Sequence, residues 1–134
     1  MTAVRQSIVA PPGAPAAAGA YSHGLVFGGL LFCSGQTAID PATGELIRGT
    51  VADQTRRCLE NLAATCQAAG ADLRNAVRVA VYMTNLADFP EMNAAYGDYF
   101  RDPDAPARTT IGVAALPRGA ELEVDAIVAL PAAA

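Results

Sequence analysis

The chain has 134 residues, of which 52% are hydrophobic and only 16% charged, enough for one well-filled domain with an apolar surplus that self-association would cover. Its nine basic residues, all arginine, stand against 13 acidic ones for a formal charge of −4, so a Schiff-base lysine is excluded. The only basic doublet, Arg56-Arg57, is too small a footprint for nucleic acid.

The first residues lack the basic-then-apolar layout of a signal peptide, and no apolar run approaches the length that crosses a bilayer. A cytoplasmic protein without a membrane partner is expected. Residues 10–20 are rich in Pro, Gly and Ala and read as an ordered loop. From Leu25 to Ser34 two short apolar runs meet at Gly28-Gly29, the two-glycine turn of a tight hairpin, and the second run ends at Ser34-Gly35-Gln36. Asp40-Pro41-Ala42-Thr43-Gly44 is a further reversal.

A first helix is expected from Thr50, an N-cap with Asp53 three residues on, to Gly70. Its buried stripe is Cys58, Leu59, Leu62, Ala63 and Cys66. Val77, Val79, Val81 and Met83 alternate as a strand. A second helix follows, with Asp88 as N-cap, Pro90 in the first turn, Glu91 completing the cap, and Met92, Tyr96, Tyr99 and Phe100 buried. It stops before the breaker Asp102-Pro103-Asp104.

Two alternating runs then flank the turn Pro117-Arg118-Gly119. The first places Thr109, Ile111, Val113 and Ala115 on its apolar face, with Arg108 and Thr110 opposite. The second places Leu122, Val124, Ala126 and Val128 on one face, with Glu121, Glu123 and Asp125 opposite. Residues 131–134 are a short tail, and with a short extra strand near Ser7 the whole of 1–134 reads as one domain. The class is α+β: a single mixed sheet of about six strands with both helices on one face. The other face is left bare for another subunit.

Three cysteines without CxxC spacing suggest neither a disulfide framework nor a zinc site, and Cys33 reads as a buried, inert thiol. His23, the sole histidine, rules out a His-based metal cluster. It sits in a glycine-flanked loop, where lining a pocket or packing are both open, and it is assigned no catalysis. Arg108 stands out, because Pro106 fixes the backbone before it and Ala105 and Ala107 leave it room. A rigidly held guanidinium is a clamp for carboxylate or phosphate, and Glu123 is its natural acidic counterpart.

The segment from Pro106 to Leu130, with Ser34-Gly35-Gln36, Asp40 to Leu46 and Gly19 to Gly24, resembles the RidA (YjgF-like) family of reactive enamine/imine deaminases, from about Ala10 to Leu130. The resemblance implies a chorismate-mutase-like homotrimer with clefts between subunits, and no metal or organic cofactor. It further implies hydrolysis of small carboxylate-bearing 2-enamine/2-imine acids to 2-keto acids and ammonia. Carried over residue by residue, Arg108 would hold the substrate carboxylate and Glu123 would position the hydrolytic water. Tyr21, Ser34, Gly35, Asn93 and Thr110 would line the site. The chain departs from well-known deaminases of the family at Thr110, where they have cysteine, and at Ala20, where they have proline. Three other readings stay open: a trimeric keto- or amino-acid binder or chaperone-like protein, a ribonuclease, and a deaminase for a catabolic substrate such as 2-aminomuconate or an aminoacrylate derivative. The scarcity of basic residues argues against the ribonuclease. If the last strand lies between those flanking the first helix, Arg108 would sit at one end of the sheet. Glu123 and Ser34 would sit at the other, roughly 20 Å away, so that the site joins two chains.

Overall fold

In the computed structural model, residues 4–101 and 103–132 are described. Asp102 of the expected breaker, the first three residues and the last two of the tail lie outside the described residues. A six-stranded sheet is built from β1 (Gln6–Ile8), β2 (Gly24–Phe27), β3 (Leu30–Thr37), β4 (Ala76–Met83), β5 (Ala107–Gly112) and β6 (Leu122–Ala129), in the spatial order β1-β2-β3-β6-β4-β5. Helices α1 (Val51–Ala68) and α2 (Phe89–Tyr99) pack together on one face. The expected α+β architecture is therefore the observed one.

Local chemistry explains most element ends. Gly28 takes a φ of +62° in the two-residue turn from β2 to β3, a conformation that suits glycine. At the start of α1, Thr50 Oγ1 accepts from the Asp53 N–H at 3.1 Å while Asp53 Oδ2 accepts from the Thr50 N–H at 3.2 Å, a reciprocal capping box. The helix ends in a Schellman pair: Gly70, at φ +72°, donates to Gln67 O and Ala71 donates to Cys66 O.

α2 starts differently from the expectation. Asp88 sits at ψ 4°, not in the extended conformation from which an N-cap side chain reaches back, and makes no capping bond. The Glu91 carboxylate instead accepts from the Ala52 N–H at 2.8 Å, tying the start of α2 to the start of α1. Met92, Tyr96 and Phe100 are buried as expected, together with Ala95, whereas Tyr99 near the end of the helix is only half-buried.

β6 runs antiparallel between β3 and β4, so β3 and β4 point the same way without touching, and only β4 and β5 are parallel neighbours. Leu122, Val124, Ala126 and Val128 face the helices and are buried with Leu31, Val79, Val81, Leu59 and Leu62. Two expectations about strand faces change. Val77 is exposed because the register slips between Ala76 and Arg78, so the inward alternation of β4 starts at Val79. β5 ends at Gly112, short of Val113 and Ala115, since its only sheet partner, β4, ends at Met83. Within β5 the apolar residue Ile111 lies on the open face at 44% exposure, and it is Arg108 and Thr110 that share the side of the buried Val79 and Val81. Phe32 is likewise exposed on the open face.

Candidate active site

Three of the expected site residues meet where the edge strand β5 runs under α2. Arg108 lies opposite Val79, donates from Nη1 to Asn93 Oδ1 at 2.8 Å, and holds its guanidinium 4.6 Å from the centre of the Tyr96 ring and 5.5 Å from that of Phe89. The aromatic faces stabilise the cation and limit its swing. Burial pushes the Tyr96 phenol up to about 12 against the opposing pull of Arg108, so it stays neutral. Thr110, two residues along the same face, has its hydroxyl buried without a hydrogen-bond partner, and so does Tyr96. Two unpaired hydroxyls beside a cation are a costly arrangement in a folded core, and such groups gather where something else is to bind.

A second group forms on the opposite side of the sheet, across the bulge in β3 between Cys33 and Gln36. There Ser34 is gripped at both polar atoms: its hydroxyl donates to Ser22 O at 2.6 Å and its N–H to His23 O at 3.0 Å. The Glu123 carboxylate lies against Gly35 so closely that a Cβ there would sit 2.6 Å from Oε2. Burial first and the neighbouring Asp125 charge second hold the Glu123 carboxyl above the usual carboxylate range. Asp125 in turn accepts from the Tyr82 hydroxyl at 2.8 Å, which raises the phenol above its ordinary value. Tyr21 is partly exposed, and its hydroxyl accepts from the Ala18 N–H at 3.1 Å. A shallow depression of about 330 Å³ opens beside this group, lined in part by Arg5, Ser22, Phe32 and Ser34.

The two groups do not meet within one chain. Arg108 pairs with Val79 and Glu123 with Tyr82 across β4, three residues apart, so their side chains leave the sheet on opposite faces. Three residues along and two strands across is about 14 Å between backbones, less than the roughly 20 Å expected from opposite ends. Ser34 is also displaced from its expected end: it lies beside the Cys33–Ala126 pair, nearly level with Arg108. What separates the groups is the sheet itself.

The remaining reactive side chains are accounted for. Cys33 is a buried free thiol, and its hydrogen bond with the Cys66 thiol together with burial drives it upward, while burial does the same to Cys58. Asn61 was not singled out by the sequence, because an asparagine inside a helix reads as a solvated residue. It is fully buried, and its amide donates to Thr37 O at 3.1 Å and Ile39 O at 2.8 Å, pinning the exit of β3. Among the described residues no cluster of three or more His, Cys, Asp or Glu side chains gathers to hold a metal ion, and no helix is long and apolar enough to cross a membrane. A larger hollow of about 770 Å³, lined in part by Arg74, Tyr99, Arg101 and Leu130, contains none of the expected site residues.

A family model described as endoribonuclease L-PSP matches residues 12–130. The chain is 45% identical over 117 residues to the RutC family protein y4sK of Sinorhizobium fredii, covering 87% of this chain and 92% of that one. It is 37% identical over 127 residues to the Rattus norvegicus protein named 2-iminobutanoate/2-iminopropanoate deaminase, covering 95% of this chain and 92% of that one. The crystal structure of E. coli TdcF with bound serine matches with a TM-score of 0.86 at 36% identity, over 94% of this chain and 100% of that one. With the match running through almost every strand and both helices, the chain belongs to the RidA (YjgF-like, RutC) family whose model carries the endoribonuclease L-PSP description.

Proposed function

We propose that this protein is a hydrolytic deaminase that converts 2-enamine and 2-imine acids to 2-keto acids and ammonia, working in the cytoplasm as a homotrimer with clefts between subunits. The observation that carries the reading is the division of Arg108 and Glu123 between the two faces of one sheet. An arginine at a sheet edge and a carboxylate on an apolar open face become one site when the edge of one subunit meets the open face of the next. The exposed Phe32 and Ile111 on that face give the contact its apolar drive.

A 2-imino acid carries a carboxylate beside an electrophilic C=N carbon. Arg108 holds the carboxylate through its planar fork, with Asn93 fixing the guanidinium from behind. Glu123 takes a proton from water as the oxygen bonds to the imine carbon, then returns it to nitrogen. The carbinolamine hydroxyl then gives up its own proton, which passes to nitrogen as the C–N bond breaks, so that ammonia leaves and the 2-keto acid remains. A carboxyl held above its usual range suits a group that must both take and give that proton. Tyr21, Ser34, Gly35 and Thr110 line the cleft. The name of the rat relative supports this substrate class, as does the serine bound by TdcF, which carries a carboxylate and a nitrogen on one carbon. Ribonuclease chemistry has little support in this chain. Its arginines are largely engaged within it, Arg56 with Asp53, Arg57 with Glu60 and Arg118 with Gly44 O, so few are left to neutralise phosphates.

The test is to generate 2-iminopropanoate and 2-iminobutanoate in situ with an amino-acid oxidase and follow imine loss. Faster loss in proportion to added protein is expected. A rate unchanged by the protein would contradict the assignment.

A further inference from the structure

The loop over residues 10–20 contains no helix or strand, yet it leads directly into Tyr21 and the two residues that grip Ser34. One buried side chain anchors it from within. His23 is 1% exposed, its Nε2 lies 2.6 Å from Pro15 O, and its Nδ1 accepts from the Ala10 N–H at 3.2 Å. A carbonyl only accepts, so the proton is on Nε2, and an amide N–H only donates, so Nδ1 must be bare. The two contacts together require the neutral Nε2–H imidazole. They also reach the loop at two separate points, including Ala10, which sits at φ +47°, a conformation an L residue holds only under constraint.

The same residue is tied to the candidate site through its backbone. The His23 carbonyl accepts from the Ser34 N–H, and the preceding carbonyl, that of Ser22, accepts from the Ser34 hydroxyl. Tyr21 precedes both, with its hydroxyl bonded to Ala18 of the loop. Loop, Tyr21, Ser34 and the neighbouring Gly35 beneath Glu123 are thus one connected unit with a single buried imidazole at its centre.

We propose that His23 is a positioning residue, a neutral imidazole strut that fixes the 10–20 loop against β2 and β3 and so sets Tyr21 and Ser34 for the substrate. This rests on the reading of Tyr21 and Ser34 as substrate-binding. What the position requires is one donor and one acceptor on a side chain of this length. The amide of glutamine supplies that pair, and leucine fills much of the space with neither.

The test uses the full-length His23→Leu and His23→Gln proteins, with kcat and KM for 2-iminopropanoate hydrolysis measured beside circular dichroism. Multiple-bond ¹⁵N NMR of the wild-type ring reports its tautomer. The neutral Nε2–H form is expected. His23→Leu should raise KM about tenfold with a smaller change in kcat, the size expected for losing two modest hydrogen bonds, and His23→Gln should stay within about threefold of wild type. A bare Nε2, wild-type kinetics in His23→Leu, or equal impairment in both variants would overturn the proposal. If His23→Leu does not fold, an inactive His23→Gln overturns it alone. Tyr21→Phe and Ser34→Ala separate the two levels. Wild-type kinetics in both would remove the underlying reading, whereas impaired kinetics in these with an unaffected His23→Leu would remove only the strut.

Discussion

Arg108 has more contacts in the folded chain than its position in the sequence implies. Its fork is aimed by Asn93 and seated on Tyr96, so both the charge and the direction of its donors are fixed. Arg108→Ala should lower kcat/KM for imino-acid hydrolysis by about a hundredfold, and Arg108→Lys should not restore it, because an ammonium lacks the paired donors and the flat face. Recovery with lysine would show that charge alone suffices. Gly35 makes a sharper prediction. A methyl group there would strike the Glu123 carboxylate, the movable end of a side chain, so Gly35→Ala should fold normally yet lose about tenfold or more in kcat. Normal turnover in that variant would mean that the position of Glu123 does not matter. Glu123 itself links activity to pH. Its folded-state carboxyl is raised, and a base must be ionised, so activity should climb as pH rises through that raised value and the acid limb should lie above the ordinary carboxylate range. For folding the sign is reversed: stability from this group is full below its unfolded value and is lost as pH rises through the folded one. Glu123→Gln should therefore raise Tm at about pH 8 and leave it unchanged at about pH 3. A Tm gain at acid pH only would contradict the raised carboxyl.

The helices and strands were readable where the signal is local, and misread where a partner decides. Thr50 with Asp53, and Gly70 at the far end, mark α1 by chemistry within a few residues, and the structure keeps both. Asp88 has the right composition for a cap, but the preceding 3₁₀ turn over Leu86–Asp88 gives it the wrong backbone, and Glu91 is drawn to α1 instead. The period-2 pattern of Thr109 and Ile111 was sound as a strand, but which face is inside depends on where α2 lies and on which side is left open. Pattern alone could not show that Arg108 and Thr110 point toward the helix layer. The same limit hid Asn61, whose carbonyl partners come from the end of β3 more than 20 residues earlier. Asn61→Ala should cost about 2–4 kcal/mol in urea unfolding, since it takes the donor from two partly buried carbonyls and opens a small cavity at a fully buried position. A loss under about 0.5 kcal/mol, the size of an ordinary surface change, would show that water replaces the amide freely.

On the proposed reading, the chain as a whole presents half of a site on each side of its sheet. Arg108 with Asn93 and Thr110 occupies one side at the β5 edge, while Glu123 with Gly35 and Ser34 occupies the other. The open face carries exposed Phe32 and Ile111. A closed ring of three copies, each edge meeting the next open face, would complete three equivalent sites and cover that apolar surface. This arrangement makes the central claim directly measurable. Arg108→Ala and Glu123→Ala are each expected to keep about a hundredth of wild-type activity or less alone, and when they are mixed one to one under conditions of proven subunit exchange, about a quarter of the shared sites should regain both groups. Recovery toward that fraction of wild-type activity is the predicted result, and no recovery despite exchange would contradict a site shared between chains.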